Sequence, residues 1–164
     1  MSTEEKEHIN IRMALFPHQQ LFFTTIAYQP LVDRNGEMTQ LQSIEDTAIF
    51  LLTGIAGPQP VVNYLKQFTR QIIHHKYPDH HRFSLKNITK LADDFNACPA
   101  NKKIIITTEK DMQRLEEQEL AGITQQLPIY TLPIAVKFLN NDGAAFDELI
   151  NNYVRKHTAY SGIY

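Results

Sequence analysis

The sequence predicts an α/β fold: a small three-layer sandwich on a mostly parallel sheet. Short apolar runs of strand character, residues 47–52, 103–107 and 129–132, alternate with stretches whose apolar residues recur at helical spacing. Strands separated by helices pair in parallel through right-handed crossovers. At 164 residues and 43% hydrophobic content, the chain can bury one core but not two large ones.

Taken in order, residues 4–14 read as a weak helix whose polar start lacks a convincing cap, and residues 21–28, rich in aromatic and β-branched types, as a strand. Asp33-Arg34-Asn35-Gly36 supplies a turn, so a hairpin is expected between residues 29–32 and 38–41, standing apart from the main sheet. Residues 47–52 form a short apolar strand. Gly54 and Gly57 permit the reversal after it, and Pro58 or Pro60 suits the first turn of a helix whose apolar face is Val61, Val62, Leu65, Phe68 and Ile72, with His74 and His75 at its end. Ser84 is a good N-cap for a helix burying Leu85, Ile88, Leu91 and Phe95. Strands follow at 103–107 and 129–132. Phe146, Leu149, Ile150, Tyr153 and Val154 define a last helix behind an Asn141 or Asp142 cap.

Cys98 is alone, so no disulfide and no cysteine metal site forms within one chain. No signal peptide is visible, and no apolar run approaches the roughly 20 residues of a membrane helix, so any membrane contact is expected to be peripheral. The net charge of −2 conceals a basic stretch: Lys66, Arg70, Lys76, Arg82, Lys86 and Lys90, with four histidines. Such a stretch attracts phosphate or an anionic surface, or is simply a solvated face.

Two polar clusters sit where α/β proteins keep their chemistry, beside a turn or just past a strand's C-terminal end. In Asp79-His80-His81-Arg82, a carboxylate can fix the tautomer of an imidazole base, although adjacent side chains bond each other poorly and loop Asp-His pairs often only cap and turn. In Thr108-Glu109-Lys110-Asp111, a capping arrangement accounts for Thr108, Glu109 and Asp111. It does not account for Lys110, a cation in the first helical turn, which is expected to pair with a carboxylate or a ligand anion. The four histidines offer no fixed ligand pair, and no metal site is expected. Gly54-Ile55-Ala56-Gly57-Pro58 lacks the lysine of a P-loop and the third glycine of a dinucleotide fingerprint, so turn geometry is its favoured explanation.

Thr53-Gly54-Ile55-Ala56-Gly57-Pro58, then Asp79-His80-His81-Arg82-Phe83, then Thr107-Thr108-Glu109-Lys110-Asp111, in that order and spacing, resemble the C-terminal half of tetraacyldisaccharide 4′-kinase, the lipid A kinase. Residues 21–28 also resemble the segment joining that family's halves. The resemblance implies a connector over residues 1–45 and a C-terminal α/β domain over 46–164. It implies a transferase using ATP and Mg²⁺ to phosphorylate the 4′-hydroxyl of a lipid disaccharide 1-phosphate, peripherally at the cytoplasmic face of the inner membrane, with no nucleic-acid partner. It assigns catalysis to His80 with Asp79, and places His81, Arg82, Thr108, Glu109, Lys110 and Asp111 at the substrate cleft. No Gly-x-x-x-x-Gly-Lys-Ser/Thr occurs in the sequence. The chain is therefore expected to be a fragment, inactive alone, whose partner is the P-loop domain of the same protein. The alternatives are a non-catalytic α/β module binding an anion or a partner, and a complete small enzyme using His80 as general base.

Overall fold

Strand β4 (Ala48–Thr53) has every side chain buried, as a strand covered on both faces must. It pairs in parallel with β5 (Ile72–Lys76) on one side and β6 (Lys103–Thr108) on the other, and β7 (Ile129–Leu132) continues the parallel set beyond β6. The hairpin β2 (Leu31–Val32) and β3 (Met38–Thr39) completes a six-stranded sheet in the order β3-β2-β7-β6-β4-β5. The computed structural model describes residues 2–158 of the chain.

Alternation along the strands builds two cores. Phe50, Leu52 and Ile105 pack with Ile88, Leu91 and Phe95 of α3 (Leu85–Ala97), and with Met112, Leu115 and Leu120 of α4 (Glu109–Leu115) and α5 (Gln118–Thr124). Ile49, Leu51 and Ile106 pack on the other face with Val61 and Leu65 of α2 (Gln59–Leu65) and with Leu41 and Ile44 of a short 3₁₀ turn. Helices therefore cover both faces, the expected three-layer α/β sandwich, and each such side chain contributes about 1.5–3 kcal/mol on burial. Ser84 caps α3 reciprocally with Asn87, although Leu85, at the first helical position, stays 54% exposed.

Two expectations change in detail. The helix after Pro58 ends at Leu65, and Ile72 opens strand β5. Thr69 ties the connecting turn to the sheet by donating its hydroxyl to Thr47 O at 2.8 Å, and Ile49 N–H donates to Gln71 O at 2.9 Å. His74 and His75 consequently take opposite faces of an edge strand: His74 Nε2 lies 2.8 Å from Thr53 Oγ1, whereas His75 is buried beside the Phe50 ring. The hairpin forms around Asp33, whose carboxylate accepts Asn35 and Glu37 N–H at 2.8 Å each, and around Gly36 at φ +84°. It does not stand apart, because Leu31 is fully buried in the α2-side core and Val32 pairs with Thr131 of β7. The separate two-stranded sheet is β1 (Thr24–Tyr28) with β8 (Ile134–Phe138).

The chain divides into two compact units, residues 28–134 and residues 1–27 with 135–164. The second holds α1 (Thr3–Met13), β1, β8 and α6 (Gly143–Thr158), around the rings of Phe22, Phe138 and Phe146 at 5.1–6.2 Å. Contrary to expectation α1 is capped: Ser2 Oγ accepts Glu5 N–H at 3.1 Å, and Glu5 returns the bond to Ser2 N–H at 2.6 Å. The Asp142 carbonyl accepts the first bond of α6, from Phe146 N–H at 3.0 Å.

Burial holds His74 and His75 below the ordinary value of 6.5, reinforced at His74 by Lys76 and opposed at His75 by Asp94. Both take up a proton less readily in the folded protein than in the unfolded chain, so stability falls as pH falls through about 6.5. Melting temperature is expected to drop between about pH 7 and pH 5, and a His74→Gln, His75→Gln variant to flatten that slope. An unchanged slope in the double variant contradicts the assignment.

Candidate functional site

The site lies past the C-terminal ends of β4, β5 and β6, where the segments after Thr53, Lys76 and Thr108 come together. Tyr77 N–H donates to Thr53 O at 2.8 Å, extending the β4–β5 pairing into the loop that carries Asp79 and His80.

Asp111 is the anchor. Its residue is fully buried, one carboxylate oxygen accepting Gly54 N–H and the Thr108 hydroxyl at 2.9 Å each, the other accepting Arg114 Nη1 at 2.9 Å. Arg114 also donates to Gly54 O at 3.2 Å. The buried charge is thus paired and hydrogen-bonded, the condition under which burying a carboxylate is tolerated. Gly54 leaves room for this packing: a Cβ would stand 3.1 Å from the Asp111 carboxylate, tighter than an ordinary contact, and 3.4 Å from the Phe83 ring. Thr108 caps α4 by accepting Asp111 N–H at 3.2 Å, which fixes where the helix starts.

That start places Lys110. Its ammonium donates to Asp79 Oδ1 at 3.1 Å, across the opening between the β5 and β6 loops. His80 Nε2 lies 3.5 Å from the other Asp79 oxygen, and His80 N–H donates to Oδ1 at 2.9 Å. The Lys110 hydrogen bond, aided by His80 against a small burial cost, holds the Asp79 carboxyl below the usual carboxylate range. His80 sits in the left-handed region, φ +58°, with its side chain 75% exposed. Histidine visits that region more readily than most residues, and single positions of this kind gather at functional sites.

The remaining sequence-predicted residues face elsewhere. His81 stacks on Tyr77 at 4.6 Å and meets Asn87 Oδ1 at 3.1 Å through Nε2, so it belongs to the N-terminus of α3. Arg82 reaches Glu117 at 3.3 Å, an exposed contact of small energy. Glu109 accepts Ile134 N–H at 3.3 Å. The structure therefore gathers Asp79, His80 and Lys110 into one group and Thr108 and Asp111 into the buried network behind it. Sequence reading missed Arg114 and the packing role of Gly54. The signal for Arg114 was present, an arginine three residues after an aspartate in a helix.

The basic stretch does not form one patch. Lys66 and Arg70 line a cleft of about 510 Å³ with Asp46 and Thr69 at the opposite, N-terminal ends of β4 and β5. Among the described residues no three His, Cys, Asp or Glu side chains converge as metal ligands.

Removing one member of a buried pair strands the other. Asp111→Ala is expected to lower unfolding free energy by about 3–5 kcal/mol. Lys110→Met, at an exposed pair, should leave the urea midpoint nearly unchanged. Equal midpoint shifts in the two variants contradict the division into buried anchor and exposed pair.

The family described as tetraacyldisaccharide-1-P 4′-kinase matches residues 1–155. Curated tetraacyldisaccharide 4′-kinases are similar to the chain: that of Bacteroides thetaiotaomicron is 35% identical, covering 93% of this chain and 43% of the relative, and that of Phocaeicola vulgatus is 37% identical, covering 92% and 42%. The Flavobacterium johnsoniae protein is 32% identical over 96% of this chain and 42% of its own length. Among solved structures, the "apo" form of LpxK from Aquifex aeolicus in complex with ATP aligns with TM-score 0.49 and 16% identity, covering 84% of this chain and 38% of that one. The chain spans about two fifths of the length of the curated relatives it matches. On the match over residues 1–155, the chain belongs to the tetraacyldisaccharide-1-P 4′-kinase family.

Proposed function

We propose that the chain is the C-terminal half of a lipid A 4′-kinase, which transfers the γ-phosphate of ATP to the 4′-hydroxyl of tetraacyldisaccharide 1-phosphate at the cytoplasmic face of the inner membrane. The observation that carries this reading is the Asp79 carboxylate shared by His80 and Lys110 at the C-terminal edge of the parallel strands, in a chain of this family. No described helix is long and apolar enough to cross a membrane.

The residues present do not fit a site for ATP and Mg²⁺. The Gly54 amide, placed as a phosphate cradle would need it, is donated to Asp111, and the Asp111 oxygens are taken by Gly54, Thr108 and Arg114. Phosphoryl transfer rests on positioning and on neutralising charge, and on this reading those parts belong to a P-loop domain outside this chain. This chain contributes the acceptor side. An Asp79 carboxylate facing His80 Nε2 favours the tautomer protonated there, which leaves Nδ1 to take a hydroxyl proton, directly or in concert with an acid of the other half. Lys110 keeps Asp79 charged and in place.

In the complete kinase, His80→Ala should lower turnover by roughly 10²–10⁴-fold with the KM for ATP little changed. His81→Ala should instead lower melting temperature, because it removes the Tyr77 stack and the Asn87 contact. Full turnover in a stably folded His80→Ala enzyme removes this residue from the chemistry.

A further inference from the structure

One peptide unit joins the two arms of the site. The Thr53 carbonyl accepts Tyr77 N–H at 2.8 Å, at the start of the loop that carries Asp79 and His80. The N–H of that same peptide, belonging to Gly54, donates to the Asp111 carboxylate at 2.9 Å. A peptide is planar, with its carbonyl and N–H pointing in opposite directions, so a rotation that lengthens one of these bonds disturbs the other. The orientation of this plane therefore sets both the Asp79–His80 loop and the buried anchor of α4.

Strand β4 ends at Thr53, so the sheet ladder alone does not fix that plane. The preceding peptide is held from β6, where the Thr107 hydroxyl donates to Leu52 O at 3.0 Å. Thr53 is fully buried, and a buried hydroxyl needs a partner. Its partner is His74, whose Nε2 lies 2.8 Å away. Parallel pairing sets Thr53 opposite Lys76, so His74, two residues earlier on β5, shares the α2-side face of the sheet and lies diagonally within reach. The bond holds the Thr53 side chain in one rotamer and ties the last residue of β4 to the strand that runs into the His80 loop. We infer that His74 is a positioning residue of the site: through the Thr53 hydroxyl it fixes the Thr53–Gly54 peptide, and through that peptide the placement of His80 and Asp111. The inference rests on the proposed function only in the effect it expects on turnover.

The test combines residue-resolved amide exchange in the 164-residue chain with turnover of the complete kinase. In the chain, His74→Leu and Thr53→Val are each expected to speed exchange at Gly54 and Tyr77 by about tenfold relative to amides in the middle of β4, the range of one lost hydrogen bond. The double variant should do no more than either single, since both remove the same bond. Thr69→Val removes a comparable buried bond, from Thr69 to Thr47 O at the other end of β4, and should lower the melting temperature without that local change. In the kinase, His74→Leu should lower turnover by roughly ten- to a hundredfold with the KM for ATP little changed, as expected of a misplaced group. Unchanged exchange at Gly54 and Tyr77 in His74→Leu, additive effects of the two substitutions, or an equal local response to Thr69→Val each overturns the inference. Where local exchange rises and turnover holds, His80→Ala separates the causes. Lost turnover in His80→Ala then overturns the positioning role of His74, whereas full turnover removes the functional reading and leaves standing the coupling that exchange measures.

Discussion

The carboxylate of Asp111 is the constraint on which the rest of the site depends. A fully buried charge with no partner would cost several kcal/mol, and this one is met by Arg114, the Gly54 amide and the Thr108 hydroxyl. Those three partners come from the end of β4, the end of β6 and the last turn of α4. Satisfying one carboxylate thus fixes the separation of two strand ends and the first residue of a helix. Lys110 is the exposed neighbour of that anchor, and its direction toward Asp79 follows from the start of α4.

A division of labour between buried and exposed groups results. The interior network sets geometry and is invisible to a ligand, whereas Asp79, His80 and Lys110 are partly open to solvent and able to change partners. The two histidines of the Asp-His-His motif separate in the same way. His81 is committed to Tyr77 and Asn87, and His80, in a left-handed backbone conformation beside Asp79, is open to a ligand. The arrangement lies in a chain of the tetraacyldisaccharide-1-P 4′-kinase family that spans about two fifths of the length of the curated relatives it matches.

Sequence carried the strands β4, β6 and β7, the Ser84 cap and the Gly36 turn, because each has a local cause in periodicity, hydroxyl capping or glycine. It also carried the need of Lys110 for an anion. Strand β5 was hidden: Ile72-Ile73-His74-His75-Lys76 continues a helical apolar pattern, and only pairing with β4 makes it extended. The hairpin's attachment was hidden for a similar reason, since Val32 and Thr131 meet through the sheet and not through the turn. Arg114 and the tight packing at Gly54 were missed because the contact spans Gly54 to Asp111, a separation that periodicity cannot report.

The central claim, that Asp111 sets the position of the exposed Asp79, His80 and Lys110 group through α4, is tested most directly by comparing nitrogen and amide chemical shifts of the 164-residue chain and its Asp111→Asn variant. The account predicts that the Gly54 amide and the His80 imidazole nitrogens shift together, since loosening the anchor displaces Lys110 from Asp79. A variant in which Gly54 shifts while His80 keeps its wild-type signals contradicts it.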